Sequence, residues 1–341
     1  MPQQTVCPSC AEPWDEEDAF CGACGRSLRP PGPAAVPCVH CGAAEVAADG
    51  YCEACGGSQP KPRDHQEQAL TGADGVATVA GVSDRGRRHH RNEDAFTLAS
   101  AILPGGEPAV FAVVCDGVSS SARPDEASEA AVTAAATALR GSLARGAEPG
   151  SAMRAAIHEA AEAVTALAHD GKTDGRQSAG RSLNAPACTY VSAVSTAGAV
   201  TIGWVGDTRA YWVPDDRAGA EPYRLTEDDS WAARVVAAGL VGEAEAYADP
   251  RAHAITGWLG ADAEDLEPHT VAFTPHVPGV LLICSDGLWN YAEAATDLAE
   301  VVRTDARAEP LAAARELVEY ALAAGGHDNI TVAVLPIDPA G

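Results

Sequence analysis

The stretch Val110-Phe111-Ala112-Val113-Val114-Cys115-Asp116-Gly117 is an apolar, largely β-branched run that ends on a carboxylate and a glycine. Such a run reads as a buried strand, with Asp-Gly as the turn that closes it. The pattern recurs in Val280-Leu281-Leu282-Ile283-Cys284-Ser285-Asp286-Gly287. Two buried strands that each deliver a carboxylate at a glycine turn predict a polar centre at one edge of a core. Asn92-Glu93-Asp94 and His327-Asp328-Asn329 can bring more carboxylates to the same edge. Carboxylate oxygens suit hard divalent cations, and a pair of such ions suits hydrolysis of phosphate esters.

Upstream of this stretch, residues 76–82 read as a first strand, and Ser83 to Phe96 carries a basic half (Arg85, Arg87, Arg88, His89, His90, Arg91) followed by an acidic half. One half can hold an anion and the other a cation; a solvated charged turn is the plain alternative. Downstream, Arg123–Ala144 and Ser151–His169 show apolar positions at helical spacing. Residues 171–184 are polar and read as a loop. Ala187–Ser195, Val200–Val205 and Arg209–Val213 are strand-like runs between turn signals, which predict an antiparallel meander. A short helix at Ala232–Ala238, an irregular segment over 239–260, the Val280 strand, helices near Ala292–Val302 and Leu311–Ala323, and a last strand Ile330–Leu335 complete the pattern.

The chain has 341 residues and a net charge of −25. An acidic surface repels nucleic acid and anionic lipid, so neither is expected as a partner. No apolar run approaches the ~18 residues of a membrane span. Met1-Pro2-Gln3-Gln4 has no leader character, so a cytoplasmic location is expected. Of eleven cysteines, Cys115, Cys188 and Cys284 sit singly in apolar runs and read as core residues.

The other eight cysteines form a repeat. Cys7-x-x-Cys10 and Cys21-x-x-Cys24 recur, at an offset of 31 residues, as Cys38-x-x-Cys41 and Cys52-x-x-Cys55. Thiolates two residues apart can face one ion, and four complete a tetrahedral zinc site with no open position. The block resembles a double zinc ribbon, with ribbons at 1–29 and 36–57 and one structural Zn²⁺ on each set of four. Few large apolar residues are available (Trp14, Phe20, Leu28, Tyr51), so metal must supply most of the folding energy. Redox dithiols and disulfides are the alternatives. Residues 58–75, rich in Gly, Pro, Gln and charge, read as a linker.

Seven motifs in order identify the rest: Arg91-Asn92-Glu93-Asp94-Ala95, Cys115-Asp116-Gly117, Ala187-Cys188-Thr189, Gly206-Asp207-Thr208-Arg209-Ala210-Tyr211, Leu225-Thr226, Cys284-Ser285-Asp286-Gly287-Leu288-Trp289 and Asp328-Asn329-Ile330-Thr331. Over residues 76–337 the chain resembles the metal-dependent protein phosphatases (PPM family, type 2C). The resemblance implies an α+β fold, a four-layer α/β/β/α sandwich of two antiparallel sheets flanked by helices. It implies hydrolysis of phosphoserine and phosphothreonine with two Mn²⁺ or Mg²⁺ ions and a bridging hydroxide as the attacking group. By resemblance, Asp116 bridges both ions, Asp286 and Asp328 complete one, the Gly117 carbonyl binds the other, and Glu93 and Asp94 hold metal-bound waters. Phosphorylated proteins, with a serine/threonine kinase and its targets as the counterpart, are the implied partners.

Three departures from the family pattern stand out. Where members often place a phosphate-gripping arginine, five residues before Asp94, this chain has His89, with Arg88 and Arg91 beside it as substitutes. Where some members carry a histidine after the first Asp-Gly, this chain has Val118, which leaves protonation of the leaving oxygen to water. A third ion would use Asp207 and the residue four after Asp286, which is the neutral Asn290, so that ion is expected to be weak or absent. Two rival readings are a phosphatase-fold scaffold that binds phosphoproteins without turnover, and a zinc-ribbon regulator of transcription or RNA, which the acidic charge disfavours.

Overall fold

The computed structural model describes residues 6–7, 9–10, 12–13, 21, 23–24, 37–44, 46–47, 50–57, 59–72, 77–170, 185–197, 199–263 and 266–339. Trp14, Phe20, Leu28, the prolines at 30–33 and the expected polar loop at 171–184 lie outside the described residues. The chain divides into two compact units, Met1–Lys61 and Pro62–Gly341. Among the described residues no helix is long and apolar enough to cross a membrane.

The first unit is organised by sulfur. Cys7, Cys21, Cys38 and Cys52 are buried, while Val6, Val39 and Tyr51 are each more than half exposed. The backbone repeats as the sequence does: the amides of Cys7, Cys38 and Cys52 donate to the carbonyls of Glu12, Ala43 and Gly57, each five residues on.

In the second unit, β1 (His65–Thr71) pairs antiparallel with β2 (Ala77–Asp84). β3 (Ala95–Ile102) and β4 (Pro108–Cys115) form a hairpin. Two long helices follow. α1 (Pro124–Ala144) opens with proline and with Asp125 and Glu126 in its first turn, where a fixed φ and the helix dipole favour them. α2 (Pro149–Leu167) is capped by Glu148, which accepts from the amides of Gly150 and Ser151. Then come β5 (Ala187–Cys188), β6 (Tyr190–Thr196), β7 (Ala199–Val205), β8 (Arg209–Pro214) and β9 (Tyr223–Arg224). α3 (Trp231–Ala237), α4 (Glu243–Tyr247), β10 (Leu259–Gly260), β11 (His269–Phe273) and β12 (Gly279–Cys284) lead to α5 (Asp286–Trp289), α6 (Ala295–Val301), α7 (Pro310–Ala324) and β13 (Ile330–Ile337).

Six strands form one sheet in the order β1-β2-β13-β12-β8-β9, and five form another in the order β11-β7-β6-β4-β3; β10 pairs with β5 apart from both. The central apolar layer draws from both sheets: Phe96, Val114 and Ile202 from one, Trp212, Ile283 and Ala333 from the other. α1 and α2 cover the outer face of the five-stranded sheet through Val132, Leu139, Met153 and Ile157. α5, α6 and α7 cover the six-stranded sheet through Trp289, Leu298, Leu317 and Val318. The expected four-layer sandwich of two antiparallel sheets is therefore present.

Three expectations need correction. Residues 58–75, read as a linker, contain β1, an edge strand with an almost wholly exposed burial pattern. An edge strand without a buried face has no apolar alternation to betray it. The predicted meander is broken: β6 and β7 pair, but β8 pairs with β12 in the opposite sheet. The turn at Gly206–Thr208 carries the chain across the sandwich, which apolar patterning cannot reveal because both sheets bury the same residue types. The segment 239–260 is not wholly irregular, since it holds α4 and β10.

Candidate active site

The pleat explains where the polar centre lies. Side chains alternate across a strand with period two. In β4, Phe111, Val113 and Cys115 face the helices, while Ala112 and Val114 face the other sheet. Asp116 continues the inner row. The same count places Asp94 beyond Phe96, Ser285 beyond Ile283, and Thr331 before Ala333. All four strand ends lie at one end of the sandwich, since Ala95 opposes Cys115 and Val332 opposes Cys284. The inner apolar rows thus terminate together in polar groups.

Two glycines bring the carboxylate-bearing loops into contact. A Cβ on Gly287 would lie 1.9 Å from the Asn329 carbonyl oxygen, so Asp286-Gly287 can pack against Asp328-Asn329 only without a side chain there. Gly86 has φ +72° and a Cβ on it would lie 2.1 Å from the Asp328 carbonyl oxygen. It fits the basic loop against the same segment, a conformation and an approach open to glycine alone.

Asp94 is buried, and its Oδ2 accepts from Ser285 Oγ at 2.8 Å and from Thr331 Oγ1 at 2.7 Å. Its Oδ1 is buried without a hydrogen-bond partner, and so is Oδ1 of Asp286. Burial pushes the Asp94 carboxyl up to about 6 against the pull of its two hydroxyl donors. Burial, then the charges of Asp94, Asp286, Asp328 and Asp207, raises Asp116 well above the usual carboxylate range. Burial, then Asp207, Asp328 and Asp94, does the same to Asp286. Asp207 is pushed up to about 7, by burial and then by Asp228. Asp94 and Asp207 are buried, while Asp116, Asp286 and Asp328 are partly exposed; carboxylates crowded in this way repel one another, and a bound cation is the ordinary remedy. Two orphaned carboxylate oxygens supply the donors such an ion would use. No three of these groups bring ligand atoms within 4.8 Å of one another.

His89 lies beside this cluster, with Nε2 3.1 Å from Asp328 Oδ1 and Nδ1 3.8 Å from Glu93 Oε2. Arg91 is paired with Glu93 at 3.0 Å and with Asp125 at 3.3 Å. Arg88 is exposed. Asn290 donates to Asp286 Oδ2 at 3.2 Å and so acts on the carboxylate itself. Trp289 Nε1 donates to the Asp207 carbonyl at 2.9 Å, and the indole is covered by the buried Arg209 guanidinium at 3.5 Å, which fixes the Asp207 turn to α5. The amide of Val118 donates to the Ala187 carbonyl at 3.0 Å, and its hydrocarbon side chain has no proton to give.

Several residues of the site carry no role in the sequence reading. Ser285 and Thr331 stand inside quoted motifs, and their signal is polarity on an otherwise apolar strand row. Ser83 lies 2.7 Å from Thr331 Oγ1 and accepts from Asn92 Nδ2 at 2.8 Å. Ser119 donates to Glu93 Oε2 at 2.5 Å, and Asn329 Oδ1 accepts from the Glu93 amide at 2.7 Å. Arg63, in the supposed linker, had no signal at all.

In the first unit, Cys7, Cys10, Cys21 and Cys24 form one compact group and Cys38, Cys41, Cys52 and Cys55 another. The sulfurs of Cys7 and Cys24 are 3.7 Å apart and those of Cys41 and Cys52 3.6 Å. A disulfide needs ~2.05 Å, whereas four Zn–S bonds of ~2.3 Å in a tetrahedron put sulfurs ~3.8 Å apart. The donor set therefore fits zinc, and its spacing is not that of disulfides. The Ser9 amide, at 3.4 Å, leads in bringing the Cys7 thiol down to about 6. At Cys38 burial opposes, but the amides of His40 and Cys41 prevail and bring it to about 6.

Comparison with known proteins agrees with both units. A family model described as protein phosphatase 2C matches residues 83–320, and one described as double zinc ribbon matches residues 7–56. The chain is similar to the serine/threonine phosphatase stp of Listeria monocytogenes, 27% identical over 258 residues, covering 75% of this chain and 94% of that one. Among solved structures it is similar to the PPM Ser-Thr phosphatase MsPP of Mycobacterium smegmatis in complex with cacodylate, with TM-score 0.57 and 27% identity, covering 77% of this chain and 99% of that one. The fold is shared with the catalytic domain of the phosphatase PstP in complex with two manganese ions, with TM-score 0.54 and 22% identity, covering 76% of this chain and 98% of that one.

Proposed function

Because the chain belongs to the protein phosphatase 2C family and is a protein serine/threonine phosphatase, we propose that it hydrolyses phosphoserine and phosphothreonine esters on two Mn²⁺ or Mg²⁺ ions held by Asp116, Asp286, Asp328 and the Gly117 carbonyl. The observation that carries this reading is the set of mutually repelling carboxylates gathered at one end of the sandwich, with orphaned oxygens on Asp94 and Asp286. When bound, the ions supply a water acidic enough to attack phosphorus near neutral pH and positive charge for the phosphoryl oxygens. Asp94 is held by Ser285 and Thr331 with one oxygen free to accept from a water. Glu93, fixed by Arg91 and Ser119, borders the same space. His89, with Arg88 and Arg91 beside it, orients the phosphate. Val118 leaves the leaving oxygen to solvent for its proton. Asp207 is a weaker ligand site, without a second carboxylate at Asn290.

The catalytic domain on this reading runs from residue 62 to 337, and the ribbons at 1–29 and 36–57 bind one structural zinc each. The ribbons serve protein contact or spacing, and the natural substrates are proteins phosphorylated by a serine/threonine kinase in the cytoplasm. The test is turnover of p-nitrophenyl phosphate and of phosphoserine and phosphothreonine peptides with Mn²⁺, then with EDTA. Turnover that needs Mn²⁺ and is abolished by Asp286→Ala supports the enzyme. Binding of phosphopeptides without turnover would favour the scaffold reading.

A further inference from the structure

Arg63 lies outside the region matched by the phosphatase family and is the second residue after the ribbon unit. We propose that Arg63 is a positioning residue for the carboxylate segment Asn92–Asp94. The proposal rests on the reading of Glu93 and Asp94 as site residues.

The segment needs such a device. Asn92, Glu93 and Asp94 are buried, yet they belong to no helix or strand, since β3 begins at Ala95. Their carbonyls therefore need donors from elsewhere. Arg63 Nε donates to the Asn92 carbonyl at 3.0 Å, and its NH2 donates to the Asp94 carbonyl at 2.9 Å. The same NH2 donates to Ser128 Oγ at 2.9 Å, and that hydroxyl donates to the Glu93 carbonyl at 2.5 Å. All three carbonyls are thus satisfied through one guanidinium. The latch is reciprocal, because Asn92 Nδ2 donates back to the Arg63 carbonyl at 3.1 Å. Arg63 is held in turn by its own neighbours: the Arg85 amide donates to the Asp64 carbonyl at 2.8 Å, and His65 opposes Asp84 in the β1–β2 ladder.

A planar fork is what two carbonyls on alternate residues require, and an ammonium cannot reproduce it. The remaining contact, from NH1 to the exposed Glu129, is a surface pair that contributes little. The chain that enters the catalytic unit from the ribbons is therefore part of the site.

The test uses the full-length chain and three variants, Arg63→Ala, Arg63→Lys and Glu129→Gln. Amide hydrogen exchange over residues 91–98 is read beside kcat, KM for p-nitrophenyl phosphate and the Mn²⁺ concentration for half-maximal turnover. The expected result for Arg63→Ala is faster exchange at residues 93 and 94 with β12 unchanged. It also includes an Mn²⁺ requirement raised about tenfold, as for other groups that orient metal ligands, and a lower kcat at nearly unchanged KM. Arg63→Lys behaves like Arg63→Ala, and Glu129→Gln like the unaltered chain. Unchanged exchange at 93 and 94, or exchange that rises equally in β12, would overturn the proposal. An unaltered chain without turnover would overturn the phosphatase reading, while the exchange readout would still decide the role of Arg63.

Discussion

Thr331 Oγ1 donates to Asp94 Oδ2 at 2.7 Å, joining residues 237 positions apart in the chain. The direction of this bond is set by a relay. Asn92 Nδ2 can only donate, so Ser83 Oγ, which accepts from it, is free to donate to Thr331. Thr331 then donates its own hydrogen bond to the carboxylate. The relay holds Asp94 in one orientation with Oδ1 aimed away from the hydroxyls.

Thr331→Val keeps the shape and removes the last link. The variant should lose roughly 1–3 kcal/mol of stability, because Ser83 and Asp94 each lose a buried partner. Its kcat with Mn²⁺ should fall about tenfold through a reoriented Asp94. Urea unfolding and steady-state turnover measure the two effects separately. A variant with unaltered kcat would dissociate the relay from catalysis.

Removing one of the repelling charges should have opposite effects with and without metal. Asp286→Asn should raise the melting temperature of the EDTA-treated protein, since each relieved unit of pKa is about 1.4 kcal/mol and 1 kcal/mol moves a domain of this size by roughly 2–4 °C. The same change should abolish the further rise that Mn²⁺ gives the unaltered chain. Thermal scans with EDTA and with Mn²⁺ check both halves; a metal-free variant less stable than the parent would refute the repulsion argument.

His65 should make the β1 edge sensitive to pH. Burial pulls its imidazole down, but the hydrogen bonds it donates to Asp84 at 2.8 Å and Glu67 at 3.2 Å outweigh it, and the net shift is upward. A raised histidine contributes stability that is present below its unfolded value near 6.5 and is lost as pH rises through the folded value. Glu67 has the opposite sign: Arg315, by its hydrogen bond, leads in holding it at about 2, so its contribution is present above the ordinary carboxylate value and is lost as pH falls toward 2. His65→Gln should flatten the loss above neutrality and leave the acid limb in place. Half-exposed side chains keep the effect small. A melting-temperature series between pH 5 and 9 reads it.

His89 should affect substrate more than metal. His89→Ala should raise KM for p-nitrophenyl phosphate roughly tenfold or more, the scale of one lost charge-assisted hydrogen bond, while His89→Arg should keep KM near that of the parent. Equal losses in both variants would remove His89 from phosphate binding.

The ribbons should be separable from turnover. Cys52→Ser should reduce bound zinc from two ions to one, since each ion has its own four thiols. p-Nitrophenyl phosphate hydrolysis per molecule should stay near that of the parent. Zinc content by elemental analysis and turnover on the same sample check this; loss of both ions together would mean that the two ribbons do not bind independently.

Much of the site was legible because its residues terminate apolar rows. Asp116 and Asp286 each end a buried strand, and the glycine after each marks the turn, so two carboxylates at one edge of a core could be read without coordinates. Arg63 and β1 could not. Gln66, Glu67 and Gln68 give that strand no apolar face, and its place in the sheet is set by backbone pairing with β2. Nor could the crossing at Gly206–Thr208 be read, because β7 and β8 present equally apolar rows to either sheet.

The sequence by itself determined the elements whose cause is local. Those are the strand rows set by period two, the helix starts set by proline and acidic first turns, and the two sets of thiols set by their spacing. Tertiary structure alone decided which distant groups meet: Asp94 with Ser285 and Thr331, Gly287 with Asn329, Arg63 with Asn92. Such pairings depend on how two sheets stack and where their strand ends fall, and packing of that kind leaves no periodic trace along the chain.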